Sequence, residues 1–392
     1  MSALTTPGPG VPAVVPEEVL RARAYLLRVA EPPSWDLVRF VERRGPVEAA
    51  DRIRRGEVPA AVGERVLARR GHDHVDADLD AGTTVGARLL VPEDPGWPAW
   101  AFGAFEIAED PDLAPPLALW VRGPGCLAAL AERAVAVVGS RAASGYGVHA
   151  AAELGSVLGD AGVTVVSGAA FGIDVAAHRG ALAAGGPTVA VLACGVDRPY
   201  PVAHTSLLER VAASGMVVSE YPPGAVPARH RFLVRNRLLA ALGNGCVVVE
   251  AGARSGSQRT ASDAATLGRP VMAVPGPISS AMSAGCHELI RRGAELVGRP
   301  DHVLETVGRI GVDLAVEPPR PRRPTDGLTP QALAVHGALP ARAAWSVERL
   351  TEESGQLPDV VRAALTELES RGLAEFHHGL WQRPGPTRRR DA

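Results

Sequence analysis

Seven short apolar runs recur through the middle of the chain, between residues 134 and 297. Each run is continuously hydrophobic rather than alternating, which is typical of strands covered by helices on both faces of a sheet. The segments between them have helical lengths and short loops, which favours parallel pairing with right-handed crossovers. The pattern therefore predicts an α/β fold with a doubly wound parallel sheet. The predicted strands are residues 134–138, 163–167, 188–192, 216–219, 246–249, 271–274 and 295–297.

Smaller units are predicted on either side of this sheet. Apolar residues at helical spacing, such as Leu20, Ala24 and Leu27, predict an N-terminal helical domain over residues 17–90. Residues 301–326 are rich in proline and arginine and predict an extended linker. Residues 327–384 predict three helices followed by a β-hairpin, the order of a winged helix-turn-helix. A basic tail, residues 385–392, follows.

The first 16 residues predict a disordered leader, because they are rich in Pro, Gly, Thr and Val. They lack the basic start and apolar run of a secretory signal. The sequence also contains no span that resembles a membrane helix. We therefore expect a cytoplasmic protein without a membrane partner.

All 41 basic side chains are arginines, in a chain of 392 residues with a net charge of −2. Arginine favours bidentate contacts with phosphate and stacking on bases, although a GC-rich genome would produce the same bias. The basic charge is concentrated locally: residues 225–260 contain six arginines and Glu250 as their one acid, a local charge of about +5. Four scattered cysteines, without a Cys-x-x-Cys pair, favour reduced buried thiols and predict no metal site.

The loop after the first predicted strand begins Gly139-Ser140-Arg141 and leads into a helix. Its glycine and small residues allow helix N-terminal amides to face an anion. It does not match Gly-x-Gly-x-x-Gly, and the chain contains no Gly-x-x-x-x-Gly-Lys-Ser/Thr. The first mismatch argues against a dinucleotide site, and the second excludes a nucleotide-hydrolysing P-loop at the level of sequence. We expect no cofactor.

The second loop contains Ser167, Gly168 and Gly172 and is followed by Asp174 and His178. Asp174 and His178 are four residues apart on a predicted helix, so they could form an acid–base pair. Helix capping by Asp174 and a local hydrogen bond from His178 are the favoured interpretation. We include the other three residues in the predicted nucleic-acid surface.

The third segment, residues 229–237, carries the strongest signal. An aromatic ring, Phe232, lies among arginines, so it could stack on a base while the guanidinium groups bind phosphates. The alternative is a solvated loop in which Phe232 is a core anchor. Asn236 and Arg237 are predicted to open a helix, where positive charge is unfavourable unless an anion is bound. The predicted binding residues are Arg229, Arg231, Phe232, Arg235, Asn236 and Arg237.

The fourth loop again closes a strand and opens a helix with small polar residues. Its predicted nucleic-acid contacts are Ser255, Gly256, Ser257 and Arg259. It lacks the Pro-Gly-Gly-x-Gly-Thr-x-x-Glu arrangement that phosphoribohydrolases of similar topology place here, so a hydrolase has no evident general base. A nucleotide-binding or ribosyl-hydrolysing enzyme on the same sheet remains the alternative to a nucleic-acid-binding protein.

Taken in order, these motifs resemble the DNA-processing protein A (DprA/Smf) family. The resemblance extends from about residue 92 to residue 297. The matching motifs are Gly139-Ser140-Arg141, Ser167-Gly168, Gly172-Ile173-Asp174 with His178, Tyr200-Pro201, Ser219-Glu220-Tyr221-Pro222-Pro223-Gly224, Phe232 with Arg235-Asn236-Arg237, Val249-Glu250-Ala251, Ser255-Gly256-Ser257 with Thr260, and Pro275-Gly276.

This resemblance implies a Rossmann-like DNA-binding domain over residues 91–300 and a SAM-like N-terminal domain. It also implies a nonenzymatic homodimer that binds and protects incoming single-stranded DNA and helps load the RecA recombinase during natural transformation or repair. The family's DNA-contacting residues fall on Arg141, Arg229 and Phe232. This chain departs from the family at Leu233, where a proline is usual, and at Gln258-Arg259, where an aliphatic pair is usual.

A third hypothesis is a regulator that reads duplex DNA through the winged unit. Its predicted recognition helix, residues 357–371, contains two arginines against three acids, a balance of about −1. Such a helix is poorly suited to the phosphates of a duplex. We therefore predict a partner-binding or weak DNA-binding role for this unit.

Overall fold

The computed structural model describes residues 15–108, 110–308 and 323–384. These residues form two compact units, one that ends at residue 308 among the described residues and one over residues 323–384. The parts of the predicted leader, linker and basic tail at residues 1–14, 309–322 and 385–392 lie outside the described residues. No helix in the described ranges is long and apolar enough to cross a membrane.

The first unit is built on a nine-stranded sheet in the order β1-β2-β6-β5-β4-β3-β7-β8-β9. Strands β3 to β9 are parallel to their neighbours, while β1 and β2 add to the β6 edge in antiparallel fashion. The predicted α/β fold with a parallel sheet is confirmed. The strands are β1 Ala87–Leu90, β2 Leu119–Arg122, β3 Ala134–Val138, β4 Thr164–Ser167, β5 Thr188–Leu192, β6 Met216–Ser219, β7 Cys246–Val248, β8 Val271–Ala273 and β9 Glu295–Leu296.

The helices that follow β1 along the chain cover the sheet and bury its apolar side chains. They are α6 Ala99–Phe102, α7 Ala104–Ala108, α8 Leu127–Glu132, α9 Gly145–Asp160, α10 Ile173–Ala183, α11 Thr205–Ser214, α12 Arg229–Leu242, α13 Gly256–Thr266, α14 Ala284–Arg291 and α15 Pro300–Val307. Gly155 of α9 lies against the backbone of Ala177 of α10, where a Cβ would collide with the carbonyl oxygen. The two helices therefore pack closely, and both begin at the carboxyl edge of the sheet.

Five helices precede the sheet: α1 Glu17–Val29, α2 Trp35–Arg44, α3 Pro46–Arg55, α4 Ala60–Val66 and α5 Val75–Thr84. They share a core that includes Tyr25, Phe40 and Ile53. Arg23 joins them to the sheet region, since its guanidinium donates to Leu117 O at 3.0 Å and to Glu93 at 2.7 Å.

Two predicted segments contain elements that belong to the sheet unit. Strand β1 falls within the predicted helical domain of residues 17–90, and it pairs with β2 at the sheet edge. Helix α15 falls at the start of the predicted linker, and its Val303 is buried in a core that it shares with α9 and with strands β3, β4, β7 and β8. Both elements are too short for their periodicity to reveal which neighbour they pack against.

The second unit contains α16 Pro330–Ala338, α17 Val347–Ser354, α18 Pro358–Ser370, β10 Glu375–His377 and β11 Leu380–Gln382. The two strands form an antiparallel hairpin. Val335, Leu350 and Leu365, one from each helix, meet in a small core. This element order is the predicted one, and its assignment as a winged helix remains a prediction.

Candidate nucleic-acid interface

A cavity of about 450 Å³ lies at the carboxyl edge of the sheet, where β3 and β7 end. Ala136 of β3 is in register with Val166 of β4 and Cys246 of β7, so the loops after these three strands meet at the same edge. We call this space the central cavity. Its lining comprises Val138, Gly139, Ser140, Arg141, Ala142, Ala170, Asp174, Phe232, Leu233, Arg235, Asn236, Leu239, Ser255, Gly256, Ser257 and Thr260.

Backbone hydrogen bonds hold these loops against one another. Ser140 N donates to Glu250 O at 2.8 Å, and Ile173 N donates to Ser140 O at 3.2 Å. Ser255 caps α13 by accepting a hydrogen bond from Ser257 N at 3.2 Å. The structure thus brings predicted residues of the first, third and fourth loops to one cavity.

Arg141 and Phe232 form the mouth of the central cavity. The Arg141 guanidinium carbon lies 5.0 Å from the centre of the Phe232 ring, a cation–π distance. Arg141 is exposed, and its side chain makes no hydrogen bond or ion pair within the described residues. Phe232 is half-buried rather than part of the core, so the core-anchor alternative does not describe its position.

Arg235 forms the inner wall and is only 5% exposed. Its Nη1 donates to Val191 O at 3.0 Å, while its Nε has no partner in the described residues. Burial lowers the pKa of this guanidinium, and the charge of Asp174 opposes that shift. This Nε is itself buried, while the guanidinium group lines the cavity and forms no salt bridge within the described residues.

Asp174 and His178 are structural residues in this arrangement. The Asp174 carboxylate accepts hydrogen bonds from Gly168 N at 3.1 Å and Ala170 N at 3.4 Å, which fixes the second loop. His178 is fully buried and donates from Nδ1 to Thr188 Oγ1 at 2.7 Å. Burial, with a contribution from Arg235, lowers the pKa of His178 to about 3, so the ring is neutral. The two side chains do not form an acid–base pair.

Three residues of the second loop support the cavity without lining it. Ser167 is buried and donates to Val137 O at 2.6 Å. Gly168 lies against the Arg235 guanidinium, and Gly172, at φ 75°, lies against the carbonyl oxygens of Ser140 and Arg141. A side chain at either glycine would displace these groups, so both glycines are required for packing.

The N-terminus of α9, which the first loop was expected to offer to an anion, is occupied by the protein's own Glu250. The Glu250 carboxylate accepts from Ser144 N at 2.8 Å and from the Ser144 hydroxyl. Gly147 lies directly beside this carboxylate, where any Cβ would collide with it. The expected external anion at this helix start is therefore replaced by a side chain.

The third segment differs from the prediction in its backbone. Helix α12 begins at Arg229, so residues 229–237 are helical, and Asn236 and Arg237 lie in its middle rather than at its start. Arg237 is 1% exposed, and its Nη2 donates to the buried carboxylate of Glu220 at 2.7 Å. This ion pair corrects the prediction that Arg237 contacts nucleic acid. This nine-residue window has three apolar residues between two groups of three polar residues, a pattern that did not distinguish a loop from a buried helix.

Arg231 is also paired internally. Its Nε donates to Glu31 at 2.7 Å, and Arg69 donates to the same carboxylate at 2.8 Å. Burial would raise the pKa of Glu31, but the hydrogen bonds from Arg231, Arg69 and His230 outweigh it and lower the pKa to about 2. These contacts join the first helices of the chain to α12.

The remaining predicted residues lie around the cavity. Arg229 is exposed at the first position of α12 and has no ion pair within the described residues. Arg259 is outside the cavity lining and pairs with Asp263 at 2.6 Å. Asn236 lines the cavity, and its side-chain amide donates to Gly256 O at 3.4 Å, which ties α12 to α13.

Sequence reasoning missed part of the wall and the rim. Ala170, Leu233 and Thr260 line the cavity, and Tyr200 packs on Phe232 with ring centres 5.3 Å apart. The side chains of Ala170 and Thr260 are small and uncharged, so nothing in the sequence was a reason to assign them to a nucleic-acid-binding surface. Tyr200, in contrast, belongs to a Tyr-Pro motif that the sequence displayed.

The cysteines offer no site. Cys194, Cys246 and Cys286 are buried as expected, whereas Cys126 is exposed, contrary to expectation. Burial raises the pKa of Cys246 and Cys286 to about 12, which keeps both thiols protonated. No group of three or more metal-binding side chains is placed to hold an ion in the parts of the chain that the structure describes.

Comparison with known proteins supports the resemblance found in the sequence. A family model described as DNA recombination-mediator protein A matches residues 88–308. The chain is 51% identical over 365 residues to a DNA processing protein DprA of Mycobacterium tuberculosis, which covers 92% of this chain and 94% of that protein. It is 44% identical over 196 residues to protein Smf of Escherichia coli, which covers 49% of this chain and 51% of that protein.

A solved structure shows the same fold. The crystal structure of DNA processing protein A from Streptococcus pneumoniae superposes with a TM-score of 0.60 at 32% sequence identity. The match covers 72% of this chain and 96% of that one. With the family model covering more than half of the sequence, this chain belongs to the DNA recombination-mediator protein A, or DprA/Smf, family of DNA-processing proteins.

Proposed function

We propose that this protein binds single-stranded DNA in the central cavity, with a base stacked on Phe232 and phosphates bound by Arg141 and Arg235. The observation that carries the proposal is the unpaired state of these arginines. Arg141 is exposed over the ring without an ion pair in the described part of the chain, and Arg235, which lines the cavity, forms no salt bridge within the described residues. Stacking combined with phosphate contacts is the usual arrangement of single-strand binders.

The shape of the cavity favours a single strand over a duplex. Phe232 and Arg235 lie in a recess between loops, and a base must be unstacked to enter it. In a duplex the faces of the bases are covered by their neighbours, so unstacking costs a few kcal/mol, roughly, for each base. We therefore expect duplex DNA to compete poorly.

We propose a role without catalysis, because the carboxylate of the cavity wall, Asp174, already accepts hydrogen bonds from two backbone amides of the second loop. Burial raises the pKa of Asp174, with Arg235 opposing the shift. That raised pKa is the observation that favours the alternative, a nucleotide-binding or ribosyl-hydrolysing enzyme with Asp174 as its acid. Chromatography of a nucleotide mixture incubated with the protein tests this alternative, because hydrolysis would release free bases.

The experiment that tests binding is a fluorescence-anisotropy titration of labelled oligo-dT at several salt concentrations, with a duplex of equal length as competitor. Arg141→Ala is expected to weaken binding and to reduce the salt dependence, since the slope falls by about 0.7 for each single-strand phosphate contact removed. Arg292→Ala is the matched control. Arg292 is exposed and precedes β9, at the opposite edge of the sheet. Equal losses in both variants, or no binding by the wild type at low salt, would reject the proposal.

We further propose that the protein is a cytoplasmic homodimer that protects incoming DNA and helps load RecA during natural transformation or repair. This part rests on membership of the DprA/Smf family rather than on a described surface. Light scattering after size exclusion tests the dimer. RecA strand exchange on DNA already covered by a single-strand-binding protein tests loading: the wild type should relieve the block, and Arg141→Ala should not.

A further inference from the structure

An aromatic surface extends outward from the rim of the central cavity, beyond the Tyr200–Phe232 contact. It consists of Phe171, Tyr200 and Val202, supported by His204, and we call it the aromatic ledge. Phe171 is 49% exposed, Tyr200 is 40% exposed and Val202 is 76% exposed. Large apolar side chains that remain exposed next to one another commonly mark a binding surface.

Phe171 is held in its exposed position by a buried histidine. Its ring packs edge-on against His204, with ring centres 4.7 Å apart and planes at 66°. His204 is 4% exposed, and its Nδ1 donates to Ala169 O at 2.8 Å. Ala169 has a φ of 53°, a conformation that a residue with a Cβ adopts rarely and only when its surroundings enforce it. His204 therefore fixes both the backbone and the ring of the second loop, yet leaves half of Phe171 uncovered.

The aromatic ledge is continuous with the cavity on both walls. Ala170 lines the cavity, so Phe171 is the next side chain outward along the second loop. On the other wall, Tyr200 packs on Phe232 at 5.3 Å. Tyr200 lies two residues before a single turn of 3₁₀ helix, Val202–His204, which ends at His204 and links the two walls. The ring contacts run from Arg141 through Phe232 to Tyr200, and the helical turn then leads to His204 and Phe171.

Charge distinguishes the ledge from the cavity. The cavity pairs its aromatic ring with the guanidinium groups of Arg141 and Arg235, which suits a nucleotide with its phosphate. The ledge offers ring faces and an aliphatic side chain, and neither Phe171 nor Tyr200 contacts a cation in the described residues. Rings of this kind stack on bases without selecting among them, because every base has a π-face.

We propose that the aromatic ledge is a second stacking subsite, at which Phe171 and Tyr200 hold bases of the same single strand as it leaves the central cavity. The proposal rests on the proposed function, because the ledge extends that site. It predicts that the footprint of the protein exceeds what the cavity holds. It also predicts that Phe171 contributes through the base and not through the phosphate.

The test measures how a substitution in the protein and the removal of one base from the DNA affect binding, alone and together. Anisotropy titrations use oligo-dT of about 4 to 16 nucleotides, the range of known single-strand site sizes, and a set of long oligonucleotides with one abasic position each. Phe171→Ala is expected to reduce the affinity for long oligonucleotides about fivefold, which is the lower end of the loss for one stacked base. The affinity for the shortest oligonucleotides that bind should not change. When the missing base is the one that stacks on Phe171, Phe171→Ala and the wild type should bind the oligonucleotide equally. We expect this at one or two of the abasic positions.

Two controls separate stacking from folding. Phe171→Leu keeps an apolar side chain on His204, so it should match the wild type in thermal unfolding and still lose affinity for long oligonucleotides. Trp100→Ala removes an exposed ring that packs on Arg269, next to the amino end of β8, and should change nothing.

The outcomes distinguish the ledge from the function on which it rests. In one outcome the wild type binds, and the loss of affinity from Phe171→Ala adds to the loss from every abasic position. That result would overturn the ledge proposal and leave single-strand binding intact. An equal effect of Phe171→Ala on short and long oligonucleotides would also overturn it, since the residue would then act on the cavity. Failure of the wild type to bind any oligonucleotide would overturn both.

Discussion

Two sets of arginines, Arg141 with Arg235 and Arg231 with Arg237, differ in what surrounds the guanidinium group. Arg141 and Arg235 line the central cavity, and neither forms a salt bridge within the described residues, although the charge of Asp174 acts on Arg235. Arg231 and Arg237, on the same helix as Arg235, are matched by Glu31 and Glu220. The sequence is equally basic at all these positions. The difference lies in the acids that the fold brings from far along the chain.

The comparison shows that an arginine is available to a ligand when the fold places no carboxylate within salt-bridge distance of its guanidinium group. In a buried ion pair the two charged groups bind each other and connect the elements that carry them. Removing one partner leaves the other charge buried and uncompensated. An unpaired arginine contributes less to the fold and keeps its donors for an anion. We expect substitutions in the two sets to separate into losses of stability and losses of binding.

The largest effect is expected from Arg237→Ala. It leaves the Glu220 carboxylate buried without its partner, so the free energy of unfolding should fall by about 3–5 kcal/mol. Urea denaturation followed by fluorescence measures this loss. Affinity for oligo-dT per folded molecule should stay at the wild-type value.

Rescue of this variant identifies the cause. Arg237→Met combined with Glu220→Leu removes both charges and should restore most of the lost stability. If the double variant is no more stable than Arg237→Ala, packing around Phe105, which lies 5.8 Å from the guanidinium, is responsible instead of charge.

A smaller effect, of the opposite kind, is expected from Phe232→Ala. The loss of one stacked base should weaken oligo-dT binding by about 1–3 kcal/mol, while the thermal transition stays close to that of the wild type because the ring is only half-buried. Differential scanning fluorimetry and anisotropy, run on the same preparation, measure the two quantities. A collapsed thermal transition with unchanged affinity per folded molecule would make Phe232 a core anchor.

Glu31→Gln tests whether a paired arginine can be released. Glu31 has a pKa of about 2 in the folded protein against an ordinary 4.5, so it stabilises the fold above pH 4.5 and loses this contribution as the pH falls toward 2. We expect the variant to lose between about 1 and 2 kcal/mol at neutral pH, allowing for solvent screening of this partly exposed group.

The difference in stability between wild type and Glu31→Gln should be constant above pH 4.5 and shrink below it. Because Arg231 is freed, the variant should also bind oligo-dT slightly more tightly at low salt. A difference that does not change with pH would assign the loss to the shape of the side chain and not to its charge.

The sequence predicted the elements of this molecule better than it predicted their partners. Continuous apolar runs located the strands of the sheet, because burial on both faces leaves a local signal. The glycine loops and Phe232 likewise indicated a surface at the carboxyl edge. What local pattern could not reveal was pairing across long separations, such as Arg231 with Glu31. For the same reason Arg237 was assigned to the binding surface, and Glu250 was not expected at the start of α9.

The smallest effect is expected in the second unit, where the two arginines of the predicted recognition helix, residues 357–371, resemble the paired set. On α18, Arg362 pairs with Asp359 at 2.6 Å, and Arg371 lies 3.7 Å from Glu367 while it donates to Gly327 O. Neither is free for phosphate. A chain that stops after residue 316 should therefore bind oligo-dT within about twofold of the full chain, as expected for independent sites, and with the same salt slope. A tenfold loss with a shallower slope, measured by the same titrations, would instead place phosphate contacts on this unit.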